Sequence, residues 1–386
     1  MFSARTSYPF TKNPLTLALD ARRQSGQRIL DLTESNPTRV GFRYPEEQIL
    51  KSLGTSRCMV YEPEAFGLTS ARQAVAAYYG DRGHDVDYRH IALTASTSEA
   101  YSFLFKLLAD PDDEVLIPQP SYPLFDFLAR LNSVRTTPYS LVYDGSWHLD
   151  RPALTAGLGP RTRAIIVVSP NNPTGSRIDH EDWDWLADLC SDRELPLIWD
   201  EVFHDYPLEG NDPVYSPLRR PDVPAFLLNG LSKTVGLPQL KLAWITAIGR
   251  AEFREAALQR LEIIADTFLS VGTPVQQALP ELLALRQPIQ QEIQARLLGN
   301  LAALRLILAM SPAEVLRMEA GWYALIRLPR VRSEDEWVVE LLQKTGTLVH
   351  PGYFYDLQDE PFAVVSLLPS PPVFEEGIQA LQACCK

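Results

Sequence analysis

The segment Asn229-Gly-Leu-Ser-Lys-Thr-Val-Gly236 carries a single lysine, Lys233, within a run of small and uncharged residues. A lysine in such surroundings can form a Schiff base with an aldehyde cofactor, because an apolar setting disfavours the ammonium form and leaves a reactive amine. A surface lysine in a glycine-containing loop has the same local sequence. The segment therefore predicts a reactive lysine only in combination with the motifs that precede it.

Two apolar runs upstream of Lys233 end in polar side chains. Leu197-Ile-Trp-Asp-Glu-Val202 ends in two acids, and Val167-Val-Ser-Pro-Asn-Asn-Pro-Thr-Gly175 ends in amides. Both runs predict buried strands, and open α/β sheets bind ligands at the carboxyl ends of such strands. We therefore expect Asn172 and Asp200 to lie near Lys233.

The order of these three motifs resembles the class I/II aminotransferases, which are fold type I enzymes that use pyridoxal 5′-phosphate. Asn172 and Asp200 are 28 positions apart (200 − 172), and Asp200 and Lys233 are 33 apart (233 − 200). The resemblance covers the chain from about Leu30 to the last helix. It implies an α/β fold with two parts. The large cofactor-binding domain, residues 46–270, would hold a mostly parallel seven-stranded sheet between helices. An N-terminal arm and a smaller α+β domain would comprise residues 1–45 and 271–386.

The composition is that of a globular protein. Apolar residues make up 46% of the 386 residues and charged residues 22%. The formal net charge of −12 argues against a nucleic-acid partner. No apolar run reaches the ~18 residues that span a bilayer, and the N-terminus lacks the apolar segment of a secretory signal. The four cysteines show no metal-ligand spacing. We therefore expect a cytoplasmic protein that binds small molecules, without a metal or a membrane.

By the resemblance, three residues carry the chemistry. Lys233 holds pyridoxal phosphate and moves a proton between the substrate Cα and the C4′ atom of the cofactor. Asp200 lies beside the ring nitrogen and keeps it protonated, and Asn172 donates a hydrogen bond to the ring oxygen. The apolar residues before Asp200 argue against a surface position for it. A buried Asp200 would need a partner for its charge. Asn172 also suits an ordinary turn, so a structural role stays open for it.

A second set of residues is expected around the cofactor phosphate. Thr97 and Ser98 open a predicted helix, whose N-terminus attracts anions, although either residue is also a good helix cap. The resemblance adds Ser232 and Lys241 to this set. Lys241 stands where the family has an arginine, and it supplies charge without a bidentate fork. Tyr61 would reach the phosphate of a neighbouring subunit, which implies a homodimer, or it would simply pack.

Other residues are expected at the ring and at the substrate. Tyr122 would stack on the cofactor ring, with core packing as the alternative. Phe203 replaces a tyrosine that commonly donates to the ring oxygen, so one hydrogen bond is missing. By the resemblance, Asn36 and Arg39 belong to a loop that reaches towards the substrate. Asn36 also suits an ordinary turn.

The most consequential departure from the family is at Val364. The family has an arginine at about this position, and that arginine grips the substrate α-carboxylate. Arg39 is one possible substitute and Arg327 a weaker one, although both suit a surface position. His204 and His350 are either pocket residues or structural histidines.

The sequence therefore predicts an aminotransferase that moves an amino group between an amino acid, or a related amine, and a 2-oxo acid. The departures at Phe203 and Val364 keep a second reading open, in which the same cofactor supports a lyase, decarboxylase or cyclase. A cofactor-binding regulator without turnover is a third possibility.

Overall fold

The computed structural model describes residues 1–210, 214–358 and 361–386. Its strands, in chain order, are β1 (Leu30–Asp31), β2 (Ile91–Thr94), β3 (Glu114–Gln119), β4 (Arg135–Tyr143), β5 (Trp147–Leu149), β6 (Thr162–Val168), β7 (Leu197–Asp200), β8 (Ala225–Gly230), β9 (Ala243–Ile248), β10 (Glu314–Val315), β11 (Tyr323–Arg327), β12 (Thr347–Leu348), β13 (His350–Pro351) and β14 (Phe362–Ser366).

Helices occupy most of the remaining chain. They are α1 (Pro14–Gln24), α2 (Glu46–Leu53), α3 (Thr69–Asp81), α4 (Thr97–Leu108), α5 (Phe125–Leu131), α6 (Arg151–Gly157), α7 (His180–Asp192), α8 (Leu231–Thr234), α9 (Ala251–Phe268), α10 (Thr273–Ala284), α11 (Arg286–Leu308), α12 (Glu334–Thr345) and α13 (Pro371–Cys384). No helix in the described part of the chain is both long enough and apolar enough to cross a bilayer.

The main sheet has the strand order β2-β9-β8-β7-β6-β3-β4-β5. Its central strands β8, β7, β6, β3 and β4 are parallel, and β9 runs antiparallel to both of its neighbours. The mostly parallel sheet is therefore confirmed, but it has eight strands where seven were expected. The eighth, β5, folds back on β4 as a hairpin, because Asp144-Gly145 makes a tight turn with Gly145 at a φ of 114°.

The strands β6, β7 and β8 are buried on both faces of this sheet. Alternate residues of β6 belong to different apolar clusters, with Ile165 and Val167 on one side and Ala164, Ile166 and Val168 on the other. Parallel strands covered by helices on both faces need apolar side chains in every position. The near-continuous apolar runs of β6, β7 and β8 have this cause, and the polar residues of these three strands lie at or next to the strand ends.

Two smaller sheets lie in the chain ends. The strands β10, β11, β14 and β13 form an antiparallel sheet, and β1 pairs in parallel with β12. The expected small sheet from both ends of the chain is therefore present. Helix α11 spans the two parts, since Gln290 near its start donates to the Thr234 carbonyl and Asn300 donates to the Leu367 and Pro369 carbonyls. The domain boundaries at residues 45/46 and 270/271 stay predictions.

Candidate active site

The site lies at the carboxyl edge of the main sheet. Asn172 follows the end of β6, Asp200 is the last residue of β7, and Lys233 lies in α8 directly after β8. The strands β6, β7 and β8 are adjacent and parallel, so their carboxyl ends open on the same edge. The three residues that the sequence singled out therefore lie at the same edge of the sheet.

Lys233 is held in a rigid turn. The Tyr206 hydroxyl donates to the Lys233 carbonyl over 2.6 Å, and Gln290 donates to the next carbonyl, that of Thr234, over 2.8 Å. The Leu231 N–H donates to the Leu242 carbonyl, which ties the turn to the chain ahead of β9. The backbone around the amine is thus fixed from three directions.

The Lys233 amine lies between aromatic rings. Its Nζ is 4.2 Å from the ring centre of Trp322 and 5.1 Å from that of Phe203. Loss of solvation lowers the pKa of Lys233 to about 8, and the charge of Asp200 opposes this fall. A substantial fraction of the amine is therefore neutral near physiological pH, as a nucleophilic lysine requires.

The Asp200 carboxylate is buried and hydrogen-bonded at both oxygens. Its Oδ1 accepts from the Val202 N–H over 3.0 Å, and its Oδ2 accepts from the Tyr101 hydroxyl over 2.9 Å. Burial raises the pKa of Asp200 to about 6. The two hydrogen bonds and the charge of Lys233 act in the opposite direction and limit this rise. The group is therefore mainly ionised at neutral pH, and it offers a negative charge to a cationic ring nitrogen.

Asn172 belongs to a tight loop that packs against the chain before β11. Gly175 of this loop has a φ of 68°, and a Cβ there would lie 2.5 Å from the Ala320 carbonyl oxygen. Only glycine therefore lets the loop approach so closely. The Asn172 side chain is 8% exposed, and its Oδ1 has no hydrogen-bond partner among the described residues. The unmatched atom is a hydrogen-bond acceptor, whereas the role expected for Asn172 uses its Nδ2 as a donor.

The residues expected around the cofactor phosphate lie at the N-terminus of α4 and in the turn of Lys233. Ser96 is the cap of α4 and accepts from the Glu99 N–H, so Thr97 and Ser98 are its first helical residues. Their N–H groups stand where a helix attracts an anion. Ser232 is adjacent to Lys233 in α8.

Lys241 and Tyr61 are exposed in this single chain. Lys241 has a left-handed backbone and comes two residues before β9, whose first residue, Ala243, pairs with Gly230 ahead of α8. Lys241 therefore lies at the same end of the sheet as Lys233. Tyr61 is 73% exposed and lines a groove together with Leu93 and Leu269. That position suits a residue that reaches another subunit.

Tyr122 and Phe203 lie beside the three central residues. Tyr122 follows β3, the neighbour of β6. Burial raises the pKa of Tyr122, and the nearby Tyr323 and Asp200 raise it further. Phe203 is buried and makes edge-to-face contacts with Trp322 at 5.6 Å and Tyr323 at 6.2 Å. Aromatic rings thus surround the space next to Lys233.

The small sheet supplies the wall at the position of the missing arginine. Val364 is buried in an apolar cluster with Leu325 and Tyr355, and its partner on β13 is His350. The His350 Nδ1 and the Tyr355 hydroxyl are 3.1 Å apart, and burial lowers the pKa of His350. This wall therefore presents neutral polar groups where the family places a cation.

The other candidate substrate residues are exposed or already have partners within the chain. Arg39 is exposed, and Asn36 caps the turn that contains Arg39 by accepting from the Thr38 N–H. Arg327 forms an ion pair with Glu314 at 2.7 Å. His204 lies beside Glu201 at 3.8 Å, and burial lowers the pKa of His204 to about 4.

Two contributors were not predicted in their roles. Tyr101 was not singled out, because a tyrosine on the apolar face of a helix is typical of core packing. The ring of Trp322 lies directly against the Lys233 amine. Neither role has a local sequence signal, since each depends on a contact between distant segments.

These residues fit pyridoxal phosphate. The site offers an amine of lowered pKa, a buried carboxylate for the ring nitrogen, a buried amide that follows β6, and a helix N-terminus for the phosphate. Across the chain, residues 48–367 match the family model described as aminotransferase class I and II. The chain belongs to this family.

Relatives and solved structures agree with that membership. The chain is 26% identical over 367 residues to the glutamate-pyruvate aminotransferase AlaA of Haemophilus influenzae, covering 93% of this chain and 91% of that one. It is 29% identical over 242 residues to the S-alkyl-thiohydroximate lyase SUR1 of Arabidopsis thaliana, covering 62% and 52%. An alanine aminotransferase from Pyrococcus furiosus shares the fold at a TM-score of 0.90 with 22% identity, covering 100% and 99%. The protein is a pyridoxal phosphate-dependent aminotransferase.

Proposed function

We propose that Lys233 is the lysine that binds the cofactor covalently and then serves as the acid and base of the aminotransferase. The observation that carries this proposal is the position of its amine, which is buried against Phe203 and Trp322 and is within electrostatic reach of Asp200. Pyridoxal phosphate, when bound, supplies an aldehyde and a ring that withdraws electrons from the substrate Cα. Lys233 moves the proton between Cα and C4′, since a base must lie within reach of both atoms.

Asp200 and Asn172 fix the ring, and the α4 terminus fixes the phosphate. Asp200 stabilises positive charge at the ring nitrogen, and Asn172 donates to the ring oxygen. Thr97, Ser98 and Ser232 bind the phosphate together with Lys241. Mass spectrometry after borohydride reduction of the holoenzyme tests the central assignment. The cofactor adduct is expected on Lys233, and an adduct on another lysine would refute it.

The proposed reaction transfers an amino group from an amino acid, or a related amine, to a 2-oxo acid. Because the chain resembles a glutamate-pyruvate aminotransferase over 93% of its length, glutamate with pyruvate and alanine with 2-oxoglutarate are the first pairs to test. Mixing the holoenzyme with single amino donors should convert the cofactor to its pyridoxamine form, which absorption spectroscopy follows directly. Donors that leave the spectrum unchanged are not substrates.

The substrate carboxylate is the least conventional part of this proposal. With Val364 in an apolar cluster, the small-domain wall offers no side-chain cation to a carboxylate from this position. We propose that Arg39, which precedes the buried Val40, binds the carboxylate from the opposite side. A lost hydrogen bond to a charged group corresponds to about 10- to 100-fold in affinity. Arg39→Ala should therefore raise KM for amino acids by about this factor.

Arg43→Ala is the matched control for this substitution. Arg43 belongs to the same loop region, and its side chain is 92% exposed beside Glu292. It should leave KM unchanged. If Arg39→Ala behaves like Arg43→Ala, Arg39 does not bind the carboxylate, and donors that lack a carboxylate become the first compounds to screen.

A lyase reaction is the second candidate. Two observations favour it: the similarity to a plant protein described as a lyase, and the presence of Phe203 and Val364 where the family has a hydroxyl and a cation. The same half-reaction experiment separates the two. Accumulation of the pyridoxamine form indicates transamination, whereas continuous release of ammonia and a 2-oxo acid from one substrate indicates elimination.

We also propose that the active unit is a cytoplasmic homodimer. Exposed apolar side chains gather near Tyr61, and Tyr61 and Leu269 line one groove. Other exposed apolar residues of these two segments are Met59, Val60, Ile263 and Phe268. Exposed apolar patches of this kind mark protein interfaces. The four free cysteines are compatible with a reducing compartment.

A further inference from the structure

Tyr101 makes a hydrogen bond that the family motifs do not include. Its hydroxyl donates to Asp200 Oδ2 over 2.9 Å, and the other carboxylate oxygen accepts from the Val202 N–H over 3.0 Å. Tyr101 is 1% exposed and belongs to α4, whereas Asp200 ends β7. The carboxylate is therefore oriented by its own strand on one side and by a separate helix on the other.

The tyrosine ring is itself fixed. It packs edge-to-face on Phe125 at 5.1 Å and lies 6.2 Å from Phe105. Burial raises the pKa of Tyr101 well above its ordinary value, and the neighbouring Asp200 charge acts in the same direction. The phenol therefore keeps its proton at neutral pH, and it remains a donor to the carboxylate.

The position of Tyr101 on α4 connects the two ends of the cofactor site. Thr97 and Tyr101 are four residues apart, and residues at this spacing lie on the same side of a helix about 6 Å apart along its axis. The N-terminus of α4 is the proposed phosphate site. Tyr101, in the second turn of α4, donates a hydrogen bond to Asp200, the carboxylate proposed to face the ring nitrogen. One rigid helix therefore sets both contacts relative to each other.

We propose that Tyr101 is a positioning residue that aims the Asp200 carboxylate at the cofactor ring nitrogen and keeps the shared proton on that nitrogen. The inference rests on the role proposed above for Asp200. A hydrogen bond donated to a carboxylate stabilises its charged form and lowers its affinity for a proton. Without that donor, Asp200 binds the proton more strongly, and the ring nitrogen loses part of its positive charge.

The test removes one buried hydroxyl and compares it with a matched control. Tyr101→Phe deletes the donor to Asp200 and keeps the ring. Tyr139→Phe deletes an equally buried hydroxyl of the same domain, one that donates to the Ile166 carbonyl over 2.8 Å. Binding of pyridoxamine 5′-phosphate to the apoenzyme measures the effect, because this form of the cofactor cannot join Lys233 covalently. We expect about tenfold weaker binding for Tyr101→Phe and no change for Tyr139→Phe.

Nitrogen-15 NMR of the holoenzyme with ring-labelled cofactor gives a readout that packing alone would not move. The ring signal should shift towards the neutral pyridine value in Tyr101→Phe and stay in place in Tyr139→Phe. Incorporation of 3-fluorotyrosine at position 101 keeps the fold and strengthens the donor, so it should shift the signal the other way. The absence of both shifts would overturn the proposal.

A double-mutant cycle with Asp200→Asn separates this inference from the assignment of Asp200 itself. If Tyr101 acts through the carboxylate, Tyr101→Phe should have no further effect on pyridoxamine phosphate binding in the Asp200→Asn background. An additive effect would show that Tyr101 acts by another route. If Asp200→Asn alone changed neither binding nor the nitrogen signal, the proposed role of Asp200 would fail first.

Discussion

At the scale of single residues, the site depends on two opposite charges that are both poorly solvated. Burial lowers the pKa of Lys233 to about 8 and raises that of Asp200 to about 6. Between these values both groups are mainly charged, and each stabilises the charged form of the other. The charge of Asp200 therefore helps to set the pKa of Lys233, and with it the pH above which the amine is mainly neutral and reactive.

This coupling predicts a pH dependence for covalent binding of the cofactor to the apoenzyme. The neutral fraction of Lys233 increases as pH rises through about 8, so the binding rate should increase to a plateau above that pH. Asp200→Asn removes the charge that holds the pKa of Lys233 up, and the midpoint should move to lower pH. Stopped-flow absorption at a series of pH values measures both midpoints.

Two results would contradict this prediction. One is a midpoint near the ordinary lysine value of about 10.4, which would mean that the amine is solvated. The other is an upward movement in Asp200→Asn, which has the wrong sign for the loss of a nearby negative charge. Glu376→Gln, at an exposed ion pair with Arg28, is a control that should leave the midpoint in place.

Phe203 predicts a spectroscopic difference from enzymes that have tyrosine there. Its ring is buried 5.1 Å from the Lys233 amine, so a hydroxyl added by Phe203→Tyr is expected to donate to the ring oxygen of the cofactor. That bond would stabilise the oxygen anion, and the adjacent nitrogen would lose its proton more easily. Titration of the visible absorption band of the holoenzyme should show a lower midpoint in Phe203→Tyr, and an unchanged midpoint would refute the missing-bond interpretation.

At the scale of elements, α3 is held to the end of β7 by a buried ion pair. Arg82, the residue after α3, forms two hydrogen bonds with Glu201, whose side chain is 1% exposed. Burial would raise the pKa of Glu201, but the arginine outweighs this effect and lowers it. Since Glu201 follows Asp200 directly, the pair also fixes the backbone beside Asp200.

Removing one partner of this pair should be costly. Arg82→Met leaves a buried carboxylate without its cation, which corresponds to about 3–5 kcal/mol in the free energy of unfolding. Arg82→Met with Glu201→Leu should recover much of that loss. Arg28→Met breaks an exposed pair with Glu376 and should cost less than about 1 kcal/mol. Urea denaturation at pH 7 measures all three, and an Arg82→Met protein as stable as Arg28→Met would contradict the prediction.

The strands and helices around the site were predictable from local patterns, whereas some of its contacts were not. The apolar runs before Asn172 and Asp200 predicted β6 and β7, because strands buried on both faces need continuous apolar sequence. The hairpin strand β5 was missed, although Asp144-Gly145 is a known turn signal. The bond between Tyr101 and Asp200 joins residues 99 positions apart, and no local pattern specifies such a contact.

At the scale of the whole molecule, a single chain holds only part of the proposed site. Lys233, Asp200 and Asn172 lie at one edge of the main sheet within one chain, whereas Tyr61 is 73% exposed in that chain. A homodimer in which Tyr61 of each subunit reaches the phosphate of the other would complete both sites. The two sites would then each contain residues from both chains.

Subunit mixing tests this arrangement. Lys233→Ala and Tyr61→Ala homodimers should each be weakly active, because every site lacks one component. In a hybrid dimer, the site built on the Tyr61→Ala chain keeps its own Lys233 and receives Tyr61 from the Lys233→Ala chain. Random exchange makes about half of the dimers hybrid with one intact site in two, so about a quarter of wild-type activity should return.

Mixing Lys233→Ala with Asp200→Asn is the matched control. Lys233 and Asp200 lie at the ends of neighbouring strands in the same chain, so every site in a hybrid of these two variants stays defective, and no activity should return. Recovery in the first mixture but not in the second means that Tyr61 acts across the subunit boundary. Equal recovery in both mixtures, or in neither, means that Tyr61 does not act across subunits, and the site would then be complete within one chain.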